Sequence, residues 1–443
     1  MVWYGTEITV AHLKHIVGWS NPRRVWHSAA LVWSAPEMSN MPLVFVHGVG
    51  TRSGGVYDKW VRARNLLFHG EILEPLELGS PDEILNPYWG EFGAKFRWNH
   101  AYWQLGGEER LGPADEQLVA ILQDAGIELA GPADGLIRRA AEHDLLQTIN
   151  AVWSASIEEA ATVEERDDLA VAGLEVLDYL DRQFPGLEGR ISASALPWAQ
   201  ETDRDEEFLI RLLEEAEGGQ TKESGGAEYL GKKDPSRQRF SALWQGLERI
   251  GRLPADLAAK PAGWLVHTLA QDSIEMLVGD VAWYFEQRGP KQNPGPINQE
   301  VINSLEAARS RNSKLIVVAH SMGGNIVYDV LSWYRPDIEV DLLVTVGSQV
   351  GYFEEIGLFR KQDREPLPHV KPPNVKRWIN IADRSDLLGY SVSRIFPEVL
   401  DYAYDTGSGL LTAHSRYFEQ LVFYRRLRRR VAASLAHEGA DGT

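Results

Sequence analysis

At Ala319-His320-Ser321-Met322-Gly323-Gly324 the chain sets a serine between an apolar, β-branched run (Leu315–Ala319) and a stretch of helical spacing (Gly323–Trp333). A serine hydroxyl is a weak nucleophile until a base takes its proton, so it has to be held where a base can reach it. A sharp strand-to-helix turn does this by forcing the serine into a strained backbone conformation. The turn closes only when the residues two before and two after are small. Ala319 and Gly323 meet that demand, in a G-x-S-x-G pattern with alanine in first place. The same turn aims the Met322 N–H from the head of a helix, where the dipole and free N–H groups favour a developing oxyanion. A second donor is expected from His47-Gly48-Val49-Gly50, at the end of the apolar run Pro42–Val46, with the Val49 N–H paired to that of Met322. An ordinary Ser-Gly loop before a helix is the plain alternative; the flanking elements and the small residues favour the nucleophile. His47 itself reads as a structural hydrogen-bonding residue.

A serine turn of this kind is followed in chain order by an acid and then a histidine. The acid should lie just past a late strand, and Trp378–Ile381 is followed by Ala382-Asp383-Arg384-Ser385-Asp386. Both aspartates are candidates, Asp383 nearer the strand and Asp386 deeper in the loop. Of the 12 histidines, only His414 lies beyond both aspartates and ahead of the terminal helix; His437 falls in the tail. His414 is therefore the expected base. The intervals leave room for two strands between serine and acid, then for one strand and a loop.

The elements that must position these residues alternate. The runs Pro42–Val46, Leu315–Ala319, Leu342–Val346 and Trp378–Ile381 read as buried strands, and helical spacing lies between them, as in Tyr57–Phe68. Such alternation predicts an α/β fold with a doubly wound, mostly parallel sheet. Ile84–Trp89 is a further candidate strand, demoted by Pro87 to an edge or a bent end. Residues 92–261 change character, with helical periods such as Leu169, Leu174, Leu177 and Leu180 separated by acidic runs. That block is too long for an α/β loop and is expected to be a helical insertion or cap over the site. Within it, the polar stretch Gly218–Arg237 is expected to be mobile. The organisation is then an N-terminal extension (1–40), a core (41–91 and 262–436), the insertion (92–261) and a tail (437–443).

Composition removes other classes. The 443 residues are 44% apolar and 24% charged, ordinary for a folded chain, and there is no cysteine for disulfides or thiolate metal sites. A net charge of −18 argues against a nucleic-acid partner. With no secretory leader and no apolar run of the ~18 residues a span needs, a cytoplasmic location is expected. No phosphate loop or metal-ligand cluster stands out, so no cofactor is expected. Asp280 should cap or anchor a helix under the nucleophile, since an acid ahead of the serine breaks the order. Arg425, Arg426, Arg428, Arg429 and Arg430 should complete a helix end, where cations suit the dipole. A weaker reading gives them anionic lipid headgroups, a peripheral membrane contact.

Taken together, HGVG, AHSMGG, the Asn380–Asp386 loop NIADRSD and AHSRY resemble a serine hydrolase of the α/β-hydrolase superfamily, its lipase and esterase branch in particular. VHGVG, GDVAWYF (Gly279–Phe285) and VVAHSMGGNIVYDVL (Val317–Leu331) resemble intracellular phospholipase A1 proteins of the DDHD type and their bacterial lipase-like relatives. The likeness covers roughly residues 42–91 and 262–424 and leaves out the insertion. Two departures are Ala319 in place of the commoner glycine and the lack of a DDHD motif near the C-terminus. The resemblance implies Ser321 as nucleophile, His414 as base and Asp386 as acid, acting without a cofactor on a small-molecule ester or lipid. The alternatives are a thioesterase or acyltransferase on the same machinery, or a binding module that retains the scaffold.

Overall fold

The Val-, Leu- and Ile-rich runs become the strands of one sheet: β1 (Leu43–Val46), β2 (Ile84–Leu85), β3 (Ile316–His320), β4 (Val340–Val346), β5 (Val375–Ala382) and β6 (Leu400–Ala403). Their order is β2-β1-β3-β4-β5-β6, and every neighbouring pair is parallel. A parallel sheet is covered on both faces, which is why a strand such as β1 (LVFV) reads as an unbroken apolar run rather than alternating. β1 and β4 are buried at every position, whereas the edge strand β6 is largely exposed. The Ile84–Trp89 run pairs only through Ile84 and Leu85. Pro87 lacks the N–H to extend the ladder, and Trp89 turns inward instead, with none of its surface exposed.

This computed structural model describes residues 41–53, 56–95, 135–186, 189–217, 241, 243–245, 248, 278–359, 367–407 and 413–436. All belong to one compact unit, Ser39–Thr443. The N-terminal extension, Gly218–Arg237 and the tail 437–443 lie outside the described residues.

Helices cover both faces. α1 (Val56–Phe68) follows the glycine loop, and α2 (Leu136–His143), α3 (Leu145–Glu159), α4 (Val163–Gln183) and α5 (Asp205–Ala216) belong to the insertion. After it come α6 (Pro296–Arg311), α7 (Met322–Asp329), α8 (Val350–Glu355), the short α9 (Ala413–Arg416) and α10 (Leu421–Ala436). Alternate residues of a strand point to opposite faces. Val44 and Val46 accordingly join a core with Ile297, Val301 and Leu305 of α6 and Ile326 and Val327 of α7. Phe45 faces the other way, its ring 5.7 Å from Phe68 of α1 and 4.9 Å from Phe418. Full burial of a Val, Leu or Phe is worth about 1.5–3 kcal/mol, so these two layers, not strand propensity, hold strands as short as β1.

The insertion's helices pack beside α1 and α10. α4 opens with a capping box in which Thr162 and Glu165 satisfy each other's backbone N–H groups, and Arg62 of α1 pairs with Asp167. The C-terminal arginines correct the sequence reading: they run through the body of α10 and do not end it. The Arg425 guanidinium is buried against Glu71 and Asp178. Arg428 reaches Glu71, and Arg429 reaches Asp181. Arg426 and Arg430 lie over the rings of Tyr404 and Tyr402. Among the described residues, no helix is long and apolar enough to cross a membrane.

Candidate active site

The strand order reverses between β1 and β3: the chain leaves β1 for β2 on one side and returns to β3 on the other. At such a switch point the loops at the carboxyl ends of the two strands part and leave a crevice. The loop after β1 carries His47–Gly50, and the turn after β3 carries Ser321.

Ser321 takes φ 52°, ψ −126°, left-handed space in which a side-chain-bearing residue costs on the order of 1–3 kcal/mol. The turn is held on both sides: the Ser321 N–H donates to the Val346 carbonyl (2.9 Å), and its own carbonyl accepts from the Gly324 N–H (3.0 Å). The two small residues have separate reasons. Ala319 is fully buried in the sheet. At Gly323 a Cβ would run into the carbonyl oxygens of Val46 and His47, the latter at 2.7 Å. Gly48 is the matching gap across the crevice, where a Cβ would stand 2.8 Å from Ser321 Cβ and 3.3 Å from its Oγ.

Three side chains from separate elements meet at this point. His414 Nε2 is 2.7 Å from Ser321 Oγ, and His414 Nδ1 is 3.0 Å from each oxygen of Asp386. A carboxylate only accepts, so Nδ1 carries the proton and Nε2 is free to take the serine's. Asp386 also accepts from the Leu388 N–H and the Tyr417 hydroxyl, both at 2.8 Å. Burial pushes its carboxyl up, but these hydrogen bonds outweigh burial and hold it below the usual carboxylate range. Asp383, the other sequence candidate, is turned to different work. It accepts from the Thr406 N–H (2.7 Å) and hydroxyl (2.6 Å) and from the Ser385 N–H (2.7 Å).

The two histidines flanking the crevice are fixed in neutral form. His320 donates from Nε2 to the His414 carbonyl (2.9 Å), and its ring lies 5.3 Å from that of His414. Burial, with the Arg64 charge adding to it, pushes it down to about 3. His47 donates from Nδ1 to the Gly48 carbonyl (2.8 Å) and accepts at Nε2 from the Trp89 N–H (3.2 Å). Its ring stacks on Trp89 at 4.7 Å, and burial pushes it to about 3 as well. The structural reading of His47 agrees with this geometry.

Asp280 lies in a helical segment, residues 278–287, and its carboxylate ties that segment to the glycine loop. Its carboxylate accepts from the Gly50 N–H (2.9 Å) and the Ala94 N–H (2.8 Å) and pairs with Arg52 at 2.7 Å. The Val49 peptide is thus fixed between Gly48, against Ser321, and Gly50, on Asp280. Met322 opens α7, so its N–H is among the first-turn donors that lack an intrahelical acceptor.

Sequence reasoning missed the roles of His320 and Tyr417, though both lie inside the motifs AHSMGG and AHSRY, and it missed the Arg52–Asp280 clamp. Nothing in spacing distinguishes a buried hydrogen-bond donor from a packed ring. Among the described residues, no group of three or more His, Asp or Glu could hold a metal ion. A hydroxyl bonded to an imidazole whose far N–H is held by a carboxylate can lose its proton as it attacks a carbonyl. Comparisons with family models, with curated proteins and with solved structures return no match for this chain.

Proposed function

We propose that this chain is a serine hydrolase of carboxylic esters, with lipid or acyl esters as the substrate class, built on an α/β-hydrolase fold. The observation that carries the reading is the continuous chain of contacts Ser321 Oγ to His414 Nε2 at 2.7 Å and His414 Nδ1 to Asp386 at 3.0 Å. Ser321 Oγ bonds to the ester carbonyl carbon while its proton passes to His414 Nε2, and the carbonyl electron pair moves onto oxygen. The Val49 and Met322 N–H groups stabilise that oxyanion, and Asp386 stabilises the imidazolium. Collapse breaks the carbon–oxygen bond to the alcohol, which leaves with the proton from His414. Water then attacks the acyl-enzyme by the same proton route and restores Ser321.

The test is labelling of the folded chain with a fluorophosphonate probe, beside hydrolysis of p-nitrophenyl esters of rising acyl length. Ser321 should carry the label, and Ser321→Ala should lose it together with on the order of 10⁶ in kcat. A folded chain that neither labels nor hydrolyses any ester would return the fold to a binding role.

A further inference from the structure

Tyr417 follows α9 directly and has no exposed surface. Its hydroxyl accepts from the Asp383 N–H at 2.7 Å and donates to Asp386 Oδ2 at 2.8 Å. With the acceptor side taken by a backbone N–H, the single phenolic proton points at the carboxylate that faces His414. Gly347, at φ 56°, leaves the room for this: a Cβ there would stand 2.9 Å from both Asp386 Oδ2 and the Tyr417 ring.

We propose that Tyr417 is a positioning residue of the site, fixing the Asp386 carboxylate against His414 and taking up part of its negative charge. The proposal rests on the reading of Ser321, His414 and Asp386 as the reacting set. Less charge on Asp386 means a weaker pull on the imidazole proton, so Tyr417 sets the pH at which His414 becomes a free base. Among the described residues, other titratable groups beside the pair include His320 on β3, its ring 6.2 Å from that of Tyr417, and Asp383 on the same loop. Tyr404 joins them, its ring 6.2 Å from that of Tyr417. Burial and both aspartates push the Tyr417 phenol well above its usual range, so it stays a donor throughout.

The test follows the His414 imidazole by NMR across pH in the full chain, its signal identified by loss in His414→Gln, alongside the pH profile of kcat/KM. In Tyr417→Phe the carboxylate keeps its full charge. The His414 titration and the acid limb of kcat/KM should both move to higher pH by about 0.5–1 unit. A ring-fluorinated tyrosine at position 417, a stronger donor of the same shape, should move both to lower pH, and it decides alone if Tyr417→Phe does not fold. Unmoved titrations in the folded variants would overturn the proposal and leave Tyr417 as packing. Failure of the hydrolase reading is a separate result: a wild-type chain without labelling or ester hydrolysis, in which the His414 titration still reports on Tyr417.

Discussion

Asp383 and Asp386 sit in one loop with the same chemistry and opposite duties. Asp386 faces His414 and fixes its tautomer, whereas Asp383 ties the loop to Thr406 beyond β6. Asp386→Asn keeps the shape but offers an amide to Nδ1, which favours the wrong tautomer. It should cost about 10⁴ in kcat, and the unfolding midpoint should fall as well, because the bonds from the Leu388 N–H and the Tyr417 hydroxyl lose their charge assistance. Asp383→Asn gives up charge-assisted bonds to Thr406 and should lower stability by about 1.5–3 kcal/mol, with a much smaller loss of kcat. Ester turnover on both variants, with urea unfolding beside it, separates the two roles, and equal activity losses would refute the division.

For the elements, the loop after β1 matters as much as the turn after β3. It is pinned at His47 by Trp89, at Gly48 by the approach of Ser321 and at Gly50 by Asp280. A donor to an oxyanion acts only once that charge develops, so misplacing it lowers kcat and leaves substrate binding alone. Asp280→Asn weakens the hold on Gly50 and Arg52, and kcat should fall by up to about 10² with KM close to unchanged. A rise in KM at constant kcat would instead place this loop in substrate binding. The insertion also reaches the site's support: Gln147 of α3 donates to the Thr406 carbonyl at 2.5 Å, beside the bonds that hold Asp383.

At the scale of the molecule, the buried neutral histidines tie folding to pH. In the unfolded chain His47 and His320 titrate near 6.5, and in the folded protein near 3. Between those values the unfolded state binds protons that the folded state does not. Their contribution is therefore complete above pH 6.5 and is lost as pH falls towards 3. Each adds a slope of about 1.4 kcal/mol per pH unit inside that window. Urea midpoints should fall steadily through it, and His320→Gln should flatten the slope by about one proton; an unchanged slope would mean that His320 is charged in the fold.

Residue types and local spacing by themselves determined the buried parallel strands, the strained serine turn with its small neighbours, and the acid-then-histidine order. These follow from short-range sterics and from apolar runs that water drives into a core. Spacing left Asp383 and Asp386 open, gave no partner for Asp280 and set the arginines of α10 at a helix end. Each of these depends on partners far along the chain: the choice of acid on where α9 delivers His414, Asp280 on the loop after β1, and Arg425 on Glu71 and Asp178. A carboxylate's duty is set by which donors surround it once both faces of the sheet are covered, and only the tertiary structure brings those donors together.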